Sequence, residues 1–220
     1  MFKQEKDMIP VLRDKLSVEF DTNFFVEEFR SGNGVVDLAF TTNYYSNRNR
    51  LEEFDFETIY FLTNFLNRKN KKLTQEFLFS ATSLPKKRIE YLLTCLVELE
   101  YLAEKNEHYI VEETYKSVLT DLISVEAKIK DWKKGFHQAL RYKYFSNMSF
   151  LAISAEFMHR VDLELLKTNE VGLIAVSKDD IQIVHSPKKK SPSNRISFNY
   201  LCEYFISLLS PNSNEAYTTA

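Results

Sequence analysis

Glycine is scarce in this sequence, which has 220 residues and only four glycines, Gly32, Gly34, Gly135 and Gly172. Glycine-rich phosphate-binding loops, dinucleotide-binding fingerprints and the GxSxG nucleophile elbow each need glycines at fixed, close spacing. The four positions supply none of these motifs. The sequence therefore excludes P-loop nucleotide hydrolases, Rossmann dinucleotide enzymes and hydrolases with a nucleophile elbow.

Cysteine, histidine and long apolar runs are also limited. Cys95 and Cys202 lie on segments with apolar helix faces, and the N-terminus has no secretory signal pattern, so we expect reduced core cysteines in a cytoplasmic protein. The four histidines are too far apart for a classical zinc centre. The longest charge-free stretches, such as 144–155, are polar and too short for a bilayer span, so we expect no membrane segment.

Charge is nearly balanced, with 29 Lys and Arg against 31 Asp and Glu, a formal net charge of −2. Whole-chain electrostatics therefore indicates no partner, and any nucleic-acid site must be a local patch. Hydrophobic residues make up 44% and charged residues 27%, as in ordinary folded proteins. The length is sufficient for one or two domains.

The N-terminal residues predict a helix followed by a β-hairpin. Apolar residues at helical spacing predict a helix over 3–16. The strand-like segments 23–29 and 35–40 flank a Ser-Gly-Asn-Gly turn, which places Asp37 on the second arm of a hairpin. Residues 41–54 are polar and aperiodic, and this composition predicts a linker to a different unit.

The middle of the chain, 56–113, has the pattern of three helices followed by a hairpin, with Pro85 at the first position of the third helix. The pattern then becomes strand, helix, strand, helix, strand. A strand at 122–129 carries Glu126 and Lys128 on one face, and a helix over 134–146 follows it. This alternation, with a last strand and a closing helix, predicts an α/β fold.

The order of these elements and residues resembles the PD-(D/E)xK nuclease superfamily. The matching residues are Asp37 on a hairpin strand, the triplet E126-A-K128 on the next core strand, and Gln138 and Tyr142 in a QxxxY arrangement on the following helix. Val36 stands where the superfamily name has proline. The resemblance covers about 2–40 and 118–184 and implies a restriction-endonuclease-like core, a mixed sheet with flanking helices.

The resemblance also implies a metal site and catalytic roles. Magnesium prefers oxygen ligands, and a bound divalent cation polarises a phosphate and activates water. Lys128 is then expected to orient the attacking water and stabilise charge on the phosphate. Glu5 is favoured over Glu28 as a supporting acid. The implied catalytic residues are Asp37, Glu126, Lys128, Gln138 and Tyr142, and the implied ligands of Mg²⁺ or Mn²⁺ are Asp37, Glu126, the carbonyl of Ala127, and Glu5.

The long interval between Asp37 and Glu126 is explained if a second domain is inserted between them. Residues 55–113 resemble a winged helix, which implies a nuclease-like core at 1–54 and 114–220. In winged helices the third helix commonly contacts DNA, which points to Lys86, Lys87 and Arg88. The alternative is that this domain is a protein-interaction or spacer module. The loop with Lys188, Lys189 and Lys190 is a second predicted phosphate contact, although a basic loop is more often only solvated.

These features together predict a magnesium-dependent endonuclease of DNA, with RNA as an alternative substrate and the winged helix aiding substrate binding. One competing interpretation is a non-catalytic DNA-binding or regulatory protein in which the nuclease core is a scaffold. Another is an interaction subunit of a larger defence or repair complex. A homodimer is the expected oligomeric state, because symmetrical cleavage needs two active sites.

Overall fold

The structure is a computed structural model that describes residues 2–45, 54–106 and 108–209. The chain divides into two compact units, which we call the core unit (1–45 and 119–220) and the inserted unit (46–118). Sequence analysis places the same divisions at 54/55 and 113/114. Part of the predicted linker, residues 46–53, lies outside the described residues.

The helices and strands are numbered along the whole chain. In order they are α1 (Ile9–Glu19), β1 (Phe24–Arg30), β2 (Val35–Thr41), α2 (Phe56–Phe65), β3 (Lys72–Leu73), α3 (Gln75–Ala81), α4 (Lys86–Glu98), β4 (Leu102–Lys105), β5 (His108–Val111), β6 (Ile123–Lys128), α5 (Trp132–Tyr142), β7 (Met148–Ser154), α6 (Leu163–Thr168), β8 (Gly172–Val176), β9 (Ile181–His185) and α7 (Arg195–Leu209).

The core unit is built on a six-stranded sheet with the order β1-β2-β6-β7-β8-β9. The pairs β6–β7 and β7–β8 are parallel and the other neighbours are antiparallel, so the sheet is mixed. Helices α5 and α6 connect the parallel strands, as crossover connections require. The predicted α/β class with a mixed sheet is therefore confirmed.

Helices cover both faces of this sheet, because successive strand residues point to opposite faces. One face packs against α1 through a cluster that includes Leu12, Val125 and Ala127. The other face packs against α5 and α6 through a cluster that includes Phe136, Leu151 and Leu166. Strand β6 lies inside the sheet and all six of its residues are buried.

Three helices of the core unit differ from the prediction at their ends. The predicted helix over 3–16 is a 3₁₀ segment at Glu5–Met8 followed by α1, with Pro10 in the first turn of α1, where its missing N–H costs nothing. Helix α5 begins earlier than predicted because Asp131 caps it, accepting a hydrogen bond from the Lys134 N–H at 3.2 Å. The predicted helix after β7 is interrupted at Val161, whose backbone is extended, so α6 starts anew.

The inserted unit contains α2, α3 and α4 and a three-stranded antiparallel sheet of order β3-β5-β4. The three predicted helices and the hairpin are present, and β3 adds a strand that the sequence pattern did not indicate. Asp55 and Thr74 cap α2 and α3 through their side chains. Pro85 is the N-cap of α4 and not its first helical residue.

Neither cysteine forms a disulfide; Cys202 is buried and Cys95 is only half-buried. A search of the described helices finds none that is both long enough and apolar enough to cross a bilayer.

Candidate active site

Asp37 and Glu126 face each other across neighbouring strands of the core sheet. The antiparallel ladder of β2 and β6 pairs Phe40 with Ile123 and Leu38 with Val125. One step further along this register, Asp37 stands opposite Glu126, with both side chains on the sheet face that α5 covers. The fold therefore brings together two carboxylates that the inserted unit separates in sequence.

The Asp37 side chain continues the ladder where the backbone pairing ends. Its Oδ2 accepts a hydrogen bond from the Ala127 N–H at 2.7 Å. This contact satisfies a backbone donor of a buried strand and fixes the Asp37 carboxylate beside β6. The Asp37 side chain is still 31% exposed, so this carboxylate is accessible to solvent.

Lys128 places its ammonium among three carboxylates. The Lys128 Nζ lies 2.5 Å from Glu126 Oε1, 3.2 Å from Glu5 Oε2 and 3.9 Å from Asp37 Oδ2. The Lys128 and Glu126 side chains are only 6% and 1% exposed, whereas Glu5 is 44% exposed. We call these four residues the carboxylate–lysine cluster. It opens to solvent at Asp37 and Glu5 and is closed at Glu126 and Lys128.

Glu5 joins the cluster from the N-terminal segment of the chain. It is the first residue of the 3₁₀ segment, and the Asp7 carboxylate holds the preceding turn by accepting the N–H groups of Lys3 and Gln4 at 3.1 and 2.9 Å. Met8, at the end of the segment, is fully buried. The segment is thus anchored at both ends, which positions Glu5 at the opening of the site.

Helix α5 supplies the wall of the site behind Glu126. The Tyr142 hydroxyl lies 2.7 Å from Glu126 Oε2 and 2.8 Å from the carbonyl oxygen of Val35, so its hydrogen can be donated to either acceptor. Gly135 allows the close approach of the helix, because a Cβ there would lie 2.5 Å from Leu151 Cδ1 and 2.8 Å from Lys128 Cγ. A side chain at position 135 would therefore displace the aliphatic part of Lys128.

Gln138 lies one turn before Tyr142 on the same helix, and its side chain is close enough to lower the pKa of the Tyr142 hydroxyl. The Gln138 Oε1 is buried, and no donor within the described part of the chain reaches it. A buried acceptor without a donor is costly, which makes it a feature that a ligand or water could satisfy. His137, by contrast, is exposed.

Burial and like charge raise the pKa values of both core carboxyls. Burial is the largest cause for Asp37, and the charges of Glu5 and Glu28 add to it; the Ala127 N–H and Lys128 partly offset the rise in pKa. Burial also raises the pKa of Glu126, followed by the charge of Asp37. The site therefore disfavours the ionised form of each carboxyl, and the Lys128 ammonium reduces that penalty.

The pKa values of Lys128 and Tyr142 are raised as well. Burial by itself lowers the pKa of Lys128, but its hydrogen bond to Glu126 and the surrounding negative charges outweigh burial, so the pKa is raised. Burial and the hydrogen bond to Glu126 raise the pKa of Tyr142. Lys128 is thus a cation and Tyr142 a neutral donor at physiological pH.

The donor set suits a hard divalent cation in chemistry, because it consists of carboxylate oxygens and a backbone carbonyl. In this arrangement the Lys128 ammonium lies between those oxygens. The carbonyl of Ala127, predicted as a metal ligand, instead accepts a hydrogen bond from Lys128 Nζ at 2.8 Å. Among the residues that the structure describes, no three His, Cys, Asp or Glu side chains are grouped as a metal site.

The predicted nucleic-acid residues of the inserted unit differ in their surroundings. Lys86 and Lys87 are exposed in the first turn of α4. Arg88 Nη2 instead donates hydrogen bonds to Asp55 Oδ2 at 2.6 Å and to Thr58 Oγ1 at 2.8 Å. The Arg88 guanidinium therefore links α4 to the capped start of α2 within this unit.

The predicted basic loop lies far from the carboxylate–lysine cluster along β6. Lys189 forms an ion pair at 2.8 Å with the buried Asp121, two residues before the start of β6. Lys128 is the last residue of β6, at the other end of the strand. Lys190 forms another ion pair at 2.6 Å with Glu170. Two of the three loop lysines thus have intramolecular partners, and the loop lies toward the opposite end of β6 from the cluster.

Sequence reasoning missed a basic row on the outer face of α5. Lys133, Lys134 and Arg141 are exposed there, and Lys130 is exposed just before the helix. The signal was available in the sequence, because residues three, four and seven apart share a helix face.

Comparison with known proteins adds little. No protein-family model matches the chain, and no curated protein matches it. A solved structure of SPO1766, a protein of unknown function from Silicibacter pomeroyi, matches at 15% identity with a TM-score of 0.30. The match covers 44% of this chain and 66% of that chain, slightly less than two thirds of its length. A similarity at this level identifies neither a fold nor a function.

Proposed function

We propose that this protein is a metal-dependent nuclease of the PD-(D/E)xK type that hydrolyses phosphodiester bonds of DNA. The observation that carries the proposal is the convergence of Asp37, Glu126 and Lys128. They come from two strands that are distant in sequence. Lys128 Nζ lies 2.5 Å from Glu126 Oε1 and 3.9 Å from Asp37 Oδ2. A buried cluster of this kind is costly to maintain without a function.

The topology around the cluster is compatible with a restriction-endonuclease-like core. Helix α1 precedes the β1–β2 hairpin, β2 is antiparallel to β6, and β6 is followed by α5 and the parallel strand β7. This is the order of elements in the superfamily that the sequence resembles. The core unit is therefore proposed to be the nuclease domain, interrupted between β2 and β6.

The inserted unit is proposed to be a winged helix. Its order of helix, strand, helix, helix and hairpin, with α3 and α4 adjacent, supports this assignment. The exposed Lys86 and Lys87 at the start of α4 are then candidates for contacts with DNA phosphates. Arg88 has a structural partner in Asp55 and is a weaker candidate.

Asp37, Glu126 and Glu5 would hold Mg²⁺ or Mn²⁺ at the open side of the cluster. Such an ion, when bound, polarises the scissile phosphate and lowers the pKa of a water ligand. Lys128 would neutralise charge that develops on the phosphate and orient the attacking water. Tyr142 holds Glu126 in position through its hydroxyl, and Gln138 in turn contacts Tyr142.

A second candidate function is a non-catalytic DNA-binding or regulatory protein in which the core is a scaffold. The position of the Lys128 ammonium favours this alternative, because it already neutralises carboxylates that a metal would need. In that case the lysine and acids form a structural ion cluster, and binding through the inserted unit is the function. A subunit of a larger complex, active only with its partner, belongs to the same class.

Cleavage assays distinguish these functions. The purified chain is incubated with plasmid, linear, branched and single-stranded DNA and with RNA, in Mg²⁺, Mn²⁺ or EDTA. The proposal predicts metal-dependent cleavage that is lost in Lys128→Ala and retained in Arg13→Gln, a change in an exposed cation on α1, across the sheet from α5. Binding without turnover on every substrate would favour the scaffold function. Size-exclusion chromatography on the same samples tests the expected homodimer.

A further inference from the structure

The outer face of α5 is basic along its whole length. Lys134 and Arg141 are about two helical turns apart on one row, and Lys133 lies beside that row. Lys130 precedes the helix by two residues. All four side chains are exposed, and the nearest acid in sequence, Asp131, is engaged as the helix cap. We call these four cations the α5 basic face.

This charge distribution does not stabilise the helix. Lys133 and Lys134 lie in the first turn, where the helix dipole favours negative charge. Like charges on one helix face also repel one another. Within the described residues, no ion pair involves any of the four side chains. Their positive charge is thus available to an external anion.

The α5 basic face borders the carboxylate–lysine cluster. Gln138 is four residues after Lys134 and three before Arg141, so it lies at the edge between the basic row and the buried side of the helix. Helix α5 also begins only four residues after Lys128, at the carboxyl end of β6. The basic row therefore follows the helix that forms the wall of the cluster, which lies close to Lys128 at Gly135 and contacts Glu126 through Tyr142.

The other end of the row leads to a polar pocket. Lys143, the residue after α5, lines a pocket of about 260 Å³ together with Lys188 and with Glu170, whose carboxylate is already paired with Lys190. Lysine side chains are suitable donors to phosphate oxygens. An 11-residue helix is about 16 Å long, which is the rise of about five base pairs at 3.4 Å each.

We infer that the α5 basic face binds the phosphates of a nucleic-acid strand that flank the bond at the cluster, and that the pocket at Lys143 and Lys188 holds a phosphate at the far end. The placement of the strand relative to the carboxylate–lysine cluster rests on the proposed nuclease function. The contacts are to the backbone, so they give affinity and register without reading sequence.

The test is equilibrium binding of a fluorescein-labelled duplex in EDTA, measured by anisotropy over a range of salt concentrations. The charge-removing variant is Lys133→Gln with Lys134→Gln, and the matched control is Arg13→Gln with Lys15→Gln on α1, across the sheet. The first variant should bind at least about tenfold more weakly, with a salt slope reduced by about 1 to 2, because each lost phosphate contact removes about 0.9 from the slope of log affinity against log salt.

Two further variants separate charge from structure. Lys133→Arg with Lys134→Arg should restore the wild-type salt slope, since it keeps both charges, and Lys188→Gln should lower the slope by about 0.9 if the pocket holds a phosphate. An unchanged affinity and slope in the double glutamine variant would overturn the inference. The assay measures binding in EDTA and needs no cleavage. Absence of cleavage would therefore contradict the proposed nuclease function, whereas the salt dependence of binding decides whether the α5 basic face contacts phosphates.

Discussion

Replacing Lys128 by methionine removes the ammonium around which Asp37, Glu126 and Glu5 are gathered, while it keeps much of the side-chain volume. Glu126 is 1% exposed and would then face Asp37 with the Tyr142 hydroxyl as its neutral donor. Leaving a buried charge without its partner costs about 3 to 5 kcal/mol. We expect the free energy of unfolding of Lys128→Met to fall by this amount at about pH 8 in EDTA.

The loss should depend on pH in a direction that the site electrostatics sets. Lys128 lowers the pKa of both Asp37 and Glu126, so its removal raises those pKa values further. An acid whose pKa is raised by folding destabilises the protein as the pH rises through that pKa. The variant should therefore lose less stability at about pH 5 than at about pH 8, by about 1 kcal/mol or more.

Urea denaturation at the two pH values measures this difference. The matched control is Lys128→Met combined with Glu126→Gln, which should recover part of the lost stability because the unpaired buried charge is gone. Mg²⁺ should stabilise Lys128→Met if the carboxylates can bind the ion, since a ligand stabilises the state to which it binds. A loss below about 1 kcal/mol that is equal at both pH values would refute the reasoning, because it would mean that the cluster is not electrostatically coupled.

Three other predictions follow from the same contacts. Tyr142→Phe removes the hydroxyl from Glu126 and should cost about 1.5 to 3 kcal/mol in unfolding free energy and move the acidic limb of the cleavage rate to higher pH, since the pKa of Glu126 rises. Gly135→Ala should cost about 1 to 3 kcal/mol in thermal or urea unfolding, because its Cβ would lie 2.5 Å from a neighbouring side chain. Lys189→Gln removes the half-exposed partner of Asp121 and should lower the free energy of unfolding near neutral pH by about 1 kcal/mol. Folding lowers the pKa of Asp121, so the unfolding free energies of wild type and variant should converge below about pH 4 in acid titrations.

The strands and their inward faces could be predicted because period-two alternation is a property of the local sequence. Glu126 and Lys128 share a face of β6 for this reason. The pairing of Asp37 with Glu126 needed the resemblance, because the register between β2 and β6 is set after a long insertion and no local pattern encodes it.

The partners of long charged side chains could not be predicted from the sequence. The sequence predicts DNA contacts for Arg88 and Lys189, whereas the structure pairs them with Asp55 and Asp121, which are distant in the chain. Arginine and lysine can reach acids on other elements, so their partners depend on tertiary packing. The contact of Glu5 with Lys128 depends equally on packing.

The most direct test of the proposed function is single-turnover cleavage by Asp37→Asn compared with the wild type, on whichever substrate the wild type cleaves in Mg²⁺. The asparagine keeps the shape of the side chain and removes the charge that would hold the metal. The account predicts a loss of at least about 100-fold in cleavage rate, with circular dichroism and DNA affinity in EDTA unchanged. Cleavage by Asp37→Asn at the wild-type rate would contradict the assignment of the carboxylate–lysine cluster as the active site.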